Sequence, residues 1–181
     1  MEEQSNSMWK TGFKYGAILG LVLIIYTVLL FVIDQSFNKV LPYVNYVFLA
    51  IIVFVGAKTY RDNSLGGFIS YGKALGISMI IVLIAAVING IYSYIHVTVV
   101  DPEFINKMLL TVEEGMIEKG IPDGQIEMAL EMQKKMMKPA LMSIFGLLGV
   151  GLWGFIISLI TSIFIKKQGD PYQEAMQDIE E

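Results

Sequence analysis

The chain contains no cysteine, which excludes disulfide bonds, thiolate metal sites and cysteine catalysis. This absence leaves the redox compartment open. The one histidine, His96, has neither a carboxylate nor a second histidine at ligand spacing, so it is a poor metal ligand and a poor catalytic base. No nucleophile–base pair, paired carboxylates within an apolar run or glycine-rich phosphate loop is visible. We therefore expect a non-catalytic protein with no metal site and no cofactor.

Charged residues are also scarce. They make up 17% of the 181 residues, compared with about 25% in soluble proteins. The net charge is −4 and the basic residues are not clustered, so the sequence gives no indication of nucleic-acid binding. With 55% hydrophobic residues and a mean hydropathy of +0.60, the chain is too apolar for a soluble domain of this size.

The chain contains four long apolar runs with almost no charged residue inside them. They cover residues 13–33, 41–57, 72–100 and 140–165. A bilayer core of about 30 Å requires roughly 20 helical residues. Three runs reach that length, and the second, with 17 residues, lies at the lower limit. The sequence therefore predicts an all-α polytopic membrane protein, with residues 1–181 forming a single membrane domain of four transmembrane helices.

The first run is predicted to be a retained helix rather than a cleaved signal peptide. Its 21 apolar residues exceed the roughly 7–15 of a signal sequence, and no small-x-small cleavage site follows it. The polar residues 1–11 are expected to lie outside this helix, which is predicted to begin near Gly12.

Residues 101–138 are predicted to form an amphipathic αα-hairpin between the third and fourth transmembrane helices. Asp101-Pro102-Glu103 has the pattern of a helix start, with an N-cap acceptor followed by a proline and an acid. Gly120 is expected to end the first helix, and Pro122 to begin the second.

Two features of the hairpin are candidates for contacts. Leu110 and Ile117 fall on the otherwise polar side of its first helix, where they indicate either a contact with a partner or ordinary exposed apolar residues. In the second helix, Met128, Met132 and Met136 repeat every four residues. Their thioethers suit Cu(I) outside the cytoplasm, although methionine is also an adaptable packing residue, which is the reading we favour.

Small residues recur at four-residue spacing within the predicted transmembrane helices. Because lipid tails are as apolar as leucine, transmembrane helices associate through close backbone approach, which such faces permit. The residues predicted to pack helix against helix are Gly12, Gly16, Gly20, Gly72, Gly76, Gly154, Ser158 and Ser162.

A polar patch lies in the second half of the third run. Asn89 and Ser93 are four residues apart on one helical face, and His96 is close by. The patch is consistent with a small pathway through the membrane. The alternative, which we favour, is that Asn89 forms a hydrogen bond with a neighbouring helix. Coupled transport requires a charged residue, and none accompanies the patch.

Four crossings place both termini on the same side of the membrane. With the termini inside, seven Lys and Arg residues would be cytoplasmic and six would lie on the other side. The positive-inside rule favours cytoplasmic termini, since Lys10 and Lys14 precede the first helix core and only Lys39 follows it. The hairpin is then expected outside the cytoplasm.

Several segments of the sequence resemble a known family. Val100-Asp101-Pro102-Glu103-Phe104, Tyr71-Gly72-Lys73-Ala74-Leu75 and the stretch from Lys138 to Ile160 are similar to bacterial membrane proteins of domain of unknown function 4199. This resemblance covers essentially the whole chain and implies four spans, an extracytoplasmic helical insertion and a bacterial inner-membrane location. It implies no catalytic residue, substrate or cofactor.

Together these observations predict a structural or accessory interaction subunit of the bacterial cell envelope. Its expected partners are the lipid bilayer and either a second copy of the chain or another envelope protein. The alternative is a small transporter or channel with a polar pathway along the third helix.

Overall fold

A computed structural model describes residues 2–167, with side chains from residue 6 onward. Its helices are α1 (Glu2–Val32), a 3₁₀ turn (Leu41–Tyr43), α2 (Val44–Ser64), α3 (Tyr71–Ile95), a π-helical extension of α3 (His96–Val100), α4 (Phe104–Glu118), α5 (Asp123–Met136) and α6 (Pro139–Ile165). The described part contains no β-strand, and one isolated bridge joins Ile69 to Lys167. The fold is all-helical, as the sequence predicts.

Four helical segments are long and apolar enough to cross a membrane, namely Asn6–Val32, Leu41–Ser64, Tyr71–Val100 and Pro139–Ile165. A bilayer interior offers no water to satisfy backbone polar groups, so a helix, which pairs them internally, suits these sequences. The protein is therefore a multi-pass membrane protein.

The four long helices form one bundle with α3 at its centre. α3 packs along both α1 and α6, and α2 contacts all three. The side chains at the centre are almost completely shielded, including Leu19, Leu49, Val53, Ile77 and Ile81. Tight packing of this kind must hold the bundle together, since transfer from lipid to protein gains little hydrophobic free energy.

The outer surface of the bundle is apolar as well. Such a surface would be unfavourable in water, but it matches hydrocarbon chains. The exposed side chains on this surface include Phe13, Leu21, Ile25, Val47, Ile51, Leu83, Val87, Leu148, Leu152 and Ile163.

The first helix is longer than the sequence predicts. Residues 2–11 are helical, so the expectation that they lie outside the helix is wrong. Tertiary contacts hold this segment: Ser7 Oγ lies 2.6 Å from Ser64 Oγ, and the Met8 side chain packs beside Gly76.

The bundle has two distinct ends. At the terminal end, the start of α1 and the end of α6 meet the α2–α3 connection: Ile69 and Lys167 exchange backbone hydrogen bonds of 2.8 and 3.1 Å, and Arg61 Nη1 donates to the Ile165 carbonyl at 3.2 Å. At the hairpin end, α3 passes through its π-helical extension into α4. Gly120, with φ of +70°, ends α4 as predicted, since glycine adopts this left-handed conformation without strain.

Candidate functional site

The small residues of the first transmembrane helix form its contact with α3. A Cβ atom added at Gly16 would lie 2.7 Å from Ile84 Cβ and 2.9 Å from the Ile81 carbonyl oxygen. Gly12 meets Ile80 and Gly20 meets Ile88 in the same way. Only hydrogen at these positions allows the two helices to lie this close.

The other predicted packing residues behave differently from one another. Gly154 of α6 lies directly against Val82 of α3, and Gly76 touches the end of Met8. Gly72 lies in the first turn of α3 and faces open space. No heavy atom lies within 4 Å of a Cβ added there. Ser158 and Ser162 are fully buried, and neither Oγ has a hydrogen-bond partner within residues 2–167.

A cavity of about 440 Å³ opens at the hairpin end of the bundle. Helices α1, α2, α3 and α6 each contribute to its wall, and Phe104 at the start of α4 closes one side. The volume falls within the range of about 300–1,000 Å³ that is typical of ligand sites. The lining residues are Leu23, Thr27, Pro42, Asn45, Tyr46, Asn89, Tyr92, Ser93, His96, Val97, Phe104, Met142, Gly146, Gly149 and Val150.

The three polar residues singled out in the third helix lie together in this wall. Asn89 Nδ2 donates to the Ala85 carbonyl at 2.9 Å and makes a longer contact of 3.5 Å with the Gly20 carbonyl on α1. Ser93 Oγ points towards Gly146 of α6 across the cavity, 3.8 Å from where a Cβ at Gly146 would lie. Within the described chain, no hydrogen bond reaches Asn89 Oδ1 or Ser93 Oγ.

His96 is enclosed by neighbouring side chains. It is 4% exposed, and its Nδ1 lies 3.0 Å from the Tyr92 hydroxyl. The rings of Phe31 and Phe104 meet the imidazole edge-to-face at 5.4 and 5.7 Å. Whichever of the two atoms donates in the Tyr92–His96 pair, a neutral pair retains one further donor, either Nε2–H or the phenolic O–H.

Asn45 of α2 adds a second amide to the wall. Its Oδ1 is buried and has no hydrogen-bond partner among the described residues. An unpaired buried acceptor costs about 1–3 kcal/mol. Sequence spacing alone does not single out Asn45, because its place in the wall depends on how α2 is rotated against α3.

The charged groups nearest to this end of the bundle neutralise each other. Lys107 Nζ lies 3.1 and 3.2 Å from the two Asp101 carboxylate oxygens, and it sits 5.8 Å from the centre of the Phe31 ring. The Asp101 side chain is buried, whereas that of Lys107 is half exposed. The Asp101 carboxylate therefore binds Lys107 instead of capping α4, and that helix begins at Phe104 rather than at Pro102.

The hairpin exposes apolar side chains on both of its helices. Leu110 is 56% and Ile117 is 58% exposed on α4. On α5, Met128, Met132 and Met136 are all exposed, while Ile126 is buried. The methionine stripe therefore faces outward.

The comparisons with known proteins identify a family. A family model described as "Protein of unknown function (DUF4199)" matches residues 14–167. No curated protein and no solved structure matches the chain. The match includes α1 from residue 14 onward, the other three long helices and the hairpin, and the chain therefore belongs to the DUF4199 family.

Proposed function

We propose that this protein is a non-catalytic accessory subunit of the bacterial cell envelope, which uses its hairpin to bind another protein. In this proposal the chain lies in the inner membrane, with cytoplasmic termini and an extracytoplasmic hairpin. The observation that carries the proposal is the exposure of Leu110 and Ile117 on the polar side of α4. Exposed apolar residues rimmed by polar ones are typical of protein contacts.

The distribution of contacts supports this reading. The four long helices pack closely, with α1 and α6 held against α3 at glycines, whereas α4 and α5 pack mainly on each other. The bundle thus presents the hairpin outside the apolar region. The partner is either a second copy of the chain or a different envelope protein, and the experiment below separates them.

A photo-crosslinking residue placed at Leu110 or Ile117 in native membranes tests the proposal. We expect both positions to give the same discrete adduct, because they lie seven residues apart on one helical face. Twice the mass of the chain would identify a second copy, and another mass would identify a different protein. Lys119 is the control, since it is exposed at the C-cap of α4, directly after the last helical residue, Glu118. Absence of an adduct at both test positions, or equal capture at Lys119, would contradict the proposal.

The alternative function, a small transporter or channel, is favoured by one observation, the gathering of Asn89, Ser93 and His96 in one cavity. Against it, the bundle is filled one turn further towards the terminal end. Leu19, Leu49 and Ala85 are at most 2% exposed there. Liposomes loaded with a pH dye or with glycerol separate the two readings. The accessory function predicts no flux from the wild type or from Asn89→Leu, whereas a channel predicts flux that the substitution alters.

A further inference from the structure

We propose that the cavity at the hairpin end binds an uncharged amphiphile with a hydroxyl-bearing head, of the acylglycerol type. This site is separate from the exposed face of the hairpin, so the two proposals can fail independently. The cavity volume of about 440 Å³ corresponds to roughly 15 water molecules at about 30 Å³ each. A glycerol head with a medium-length acyl chain matches that space.

The polar groups of the cavity require a head that both donates and accepts hydrogen bonds. Asn89 Oδ1 is an acceptor without a partner among the described residues, because the hydrogen bonds of Asn89 use only its Nδ2. The Tyr92–His96 pair keeps one donor free in either arrangement of its 3.0 Å hydrogen bond. Ser93 Oγ can serve in both roles. A hydroxyl group satisfies all of these partners, whereas a carbonyl group satisfies only the donors.

The cavity wall carries no charge, and this favours a ligand whose head group is also uncharged. No Lys, Arg, Asp or Glu is among the lining residues, and the nearby Asp101 and Lys107 already bind each other. A charged head would lose its hydration here without gaining a counter-ion, which is costly in an apolar environment. An uncharged head avoids this cost.

The remaining walls suit an acyl chain. Leu23, Val97, Met142 and Val150 supply apolar surface, and Gly146 and Gly149 leave the space along α6 open. An added Cβ would meet only Ser93 Oγ at Gly146 and nothing within 4 Å at Gly149. A larger side chain at Gly149 would therefore occupy the cavity rather than displace a helix.

The test uses the full chain in phosphatidylcholine nanodiscs and monooctanoylglycerol carrying a diazirine at the end of its acyl chain. We expect saturable labelling, located by peptide mass spectrometry to the segments that line the cavity. Unlabelled monooctanoylglycerol should compete. Ethyl octanoate, which lacks the hydroxyl groups, and octanoyl lysophosphatidic acid, which is anionic, should compete at least about fivefold less well, the equivalent of one hydrogen bond.

Two variants locate the site. Gly149→Leu should reduce labelling by about tenfold or more through loss of space. Gly151→Leu is its control, since Gly151 is also on α6 with nothing near its added Cβ, but it does not line the cavity. Ser93→Ala, which removes one hydroxyl and keeps the volume, should weaken labelling by roughly fivefold.

The proposal would be overturned by labelling that does not saturate, or by equal losses in Gly149→Leu and Gly151→Leu. Competition by ethyl octanoate equal to that of monooctanoylglycerol would overturn the role of the hydroxyl groups. Stronger competition by lysophosphatidic acid would show that the site selects charge, which contradicts the lining described above.

Discussion

At the scale of single residues, two glycines with the same sequence spacing differ in burial, since one is enclosed by a neighbouring helix and the other is exposed. Gly16 and Gly72 both belong to pairs of glycines four residues apart, which is the spacing of helix-packing motifs. Gly16 is buried against Ile84 and the Ile81 backbone, whereas Gly72 is exposed at the start of α3. The side chain that each position tolerates should therefore differ.

Gly16→Ala is expected to destabilise the protein by about 1–3 kcal/mol, because the new methyl group would force α1 away from α3. Gly72→Ala is the matched control and should be neutral or slightly stabilising, by up to about 1 kcal/mol, since alanine is the better helix former. Unfolding in mixed micelles with increasing SDS, followed by circular dichroism, measures both. Equal effects of the two substitutions would contradict the packing role of Gly16.

At the scale of elements, the join between bundle and hairpin rests on a few specific contacts. The Asp101–Lys107 ion pair connects the end of α3 to the first turn of α4, and Phe104 packs against Phe37 with ring centres 5.2 Å apart. A buried carboxylate left without its partner retains its desolvation cost. The ion pair should therefore set how firmly α4 is held.

Lys107→Met is expected to loosen α4 by about 1 kcal/mol, a modest value because the lysine side chain is half exposed. This corresponds to roughly fivefold faster amide exchange in α4, which hydrogen–deuterium exchange measures. Adding Asp101→Asn should recover part of the protection, since it removes the unpaired charge. Lys119→Met, at the exposed end of α4, is the control and should leave exchange unchanged. An equal effect of Lys119→Met would show that the ion pair is not the cause.

The sequence predicts most of the helices of this protein, but it does not predict every helix end or the full cavity wall. The four long helices and the hairpin follow from apolar length and from turn signals such as Gly120 and Pro122, which act locally. The sequence does not predict the helical start of α1, because Ser7 and Met8 gain contacts only when α2 and α3 lie beside them. Of the residues that line the cavity, the sequence pattern indicates only Asn89, Ser93 and His96 as a polar group. The other wall of the cavity depends on helix rotations that spacing does not encode.

At the scale of the whole molecule, the antiparallel order of the helices places each connection at one of two ends. The α1–α2 connection and the α4–α5 hairpin lie at the hairpin end, and the α2–α3 connection lies at the terminal end beside Lys167. Because the bundle between the two ends is apolar on its outside, a bilayer separates them. The side of the membrane on which one of these connections lies therefore determines the side of the other two.

The absence of cysteine makes this arrangement directly testable, since any cysteine introduced is the only one in the chain. Exposed positions in or beside the three connections are Lys39, Asn63 in the last turn of α2, and Lys119. In intact cells, Lys39→Cys and Lys119→Cys should react with a maleimide that cannot cross the inner membrane, while Asn63→Cys should react only after lysis. The reverse pattern would retain the fold but place the hairpin in the cytoplasm. Reaction of Asn63→Cys and Lys119→Cys from the same side would contradict four crossings, because α3 would then not separate the two ends.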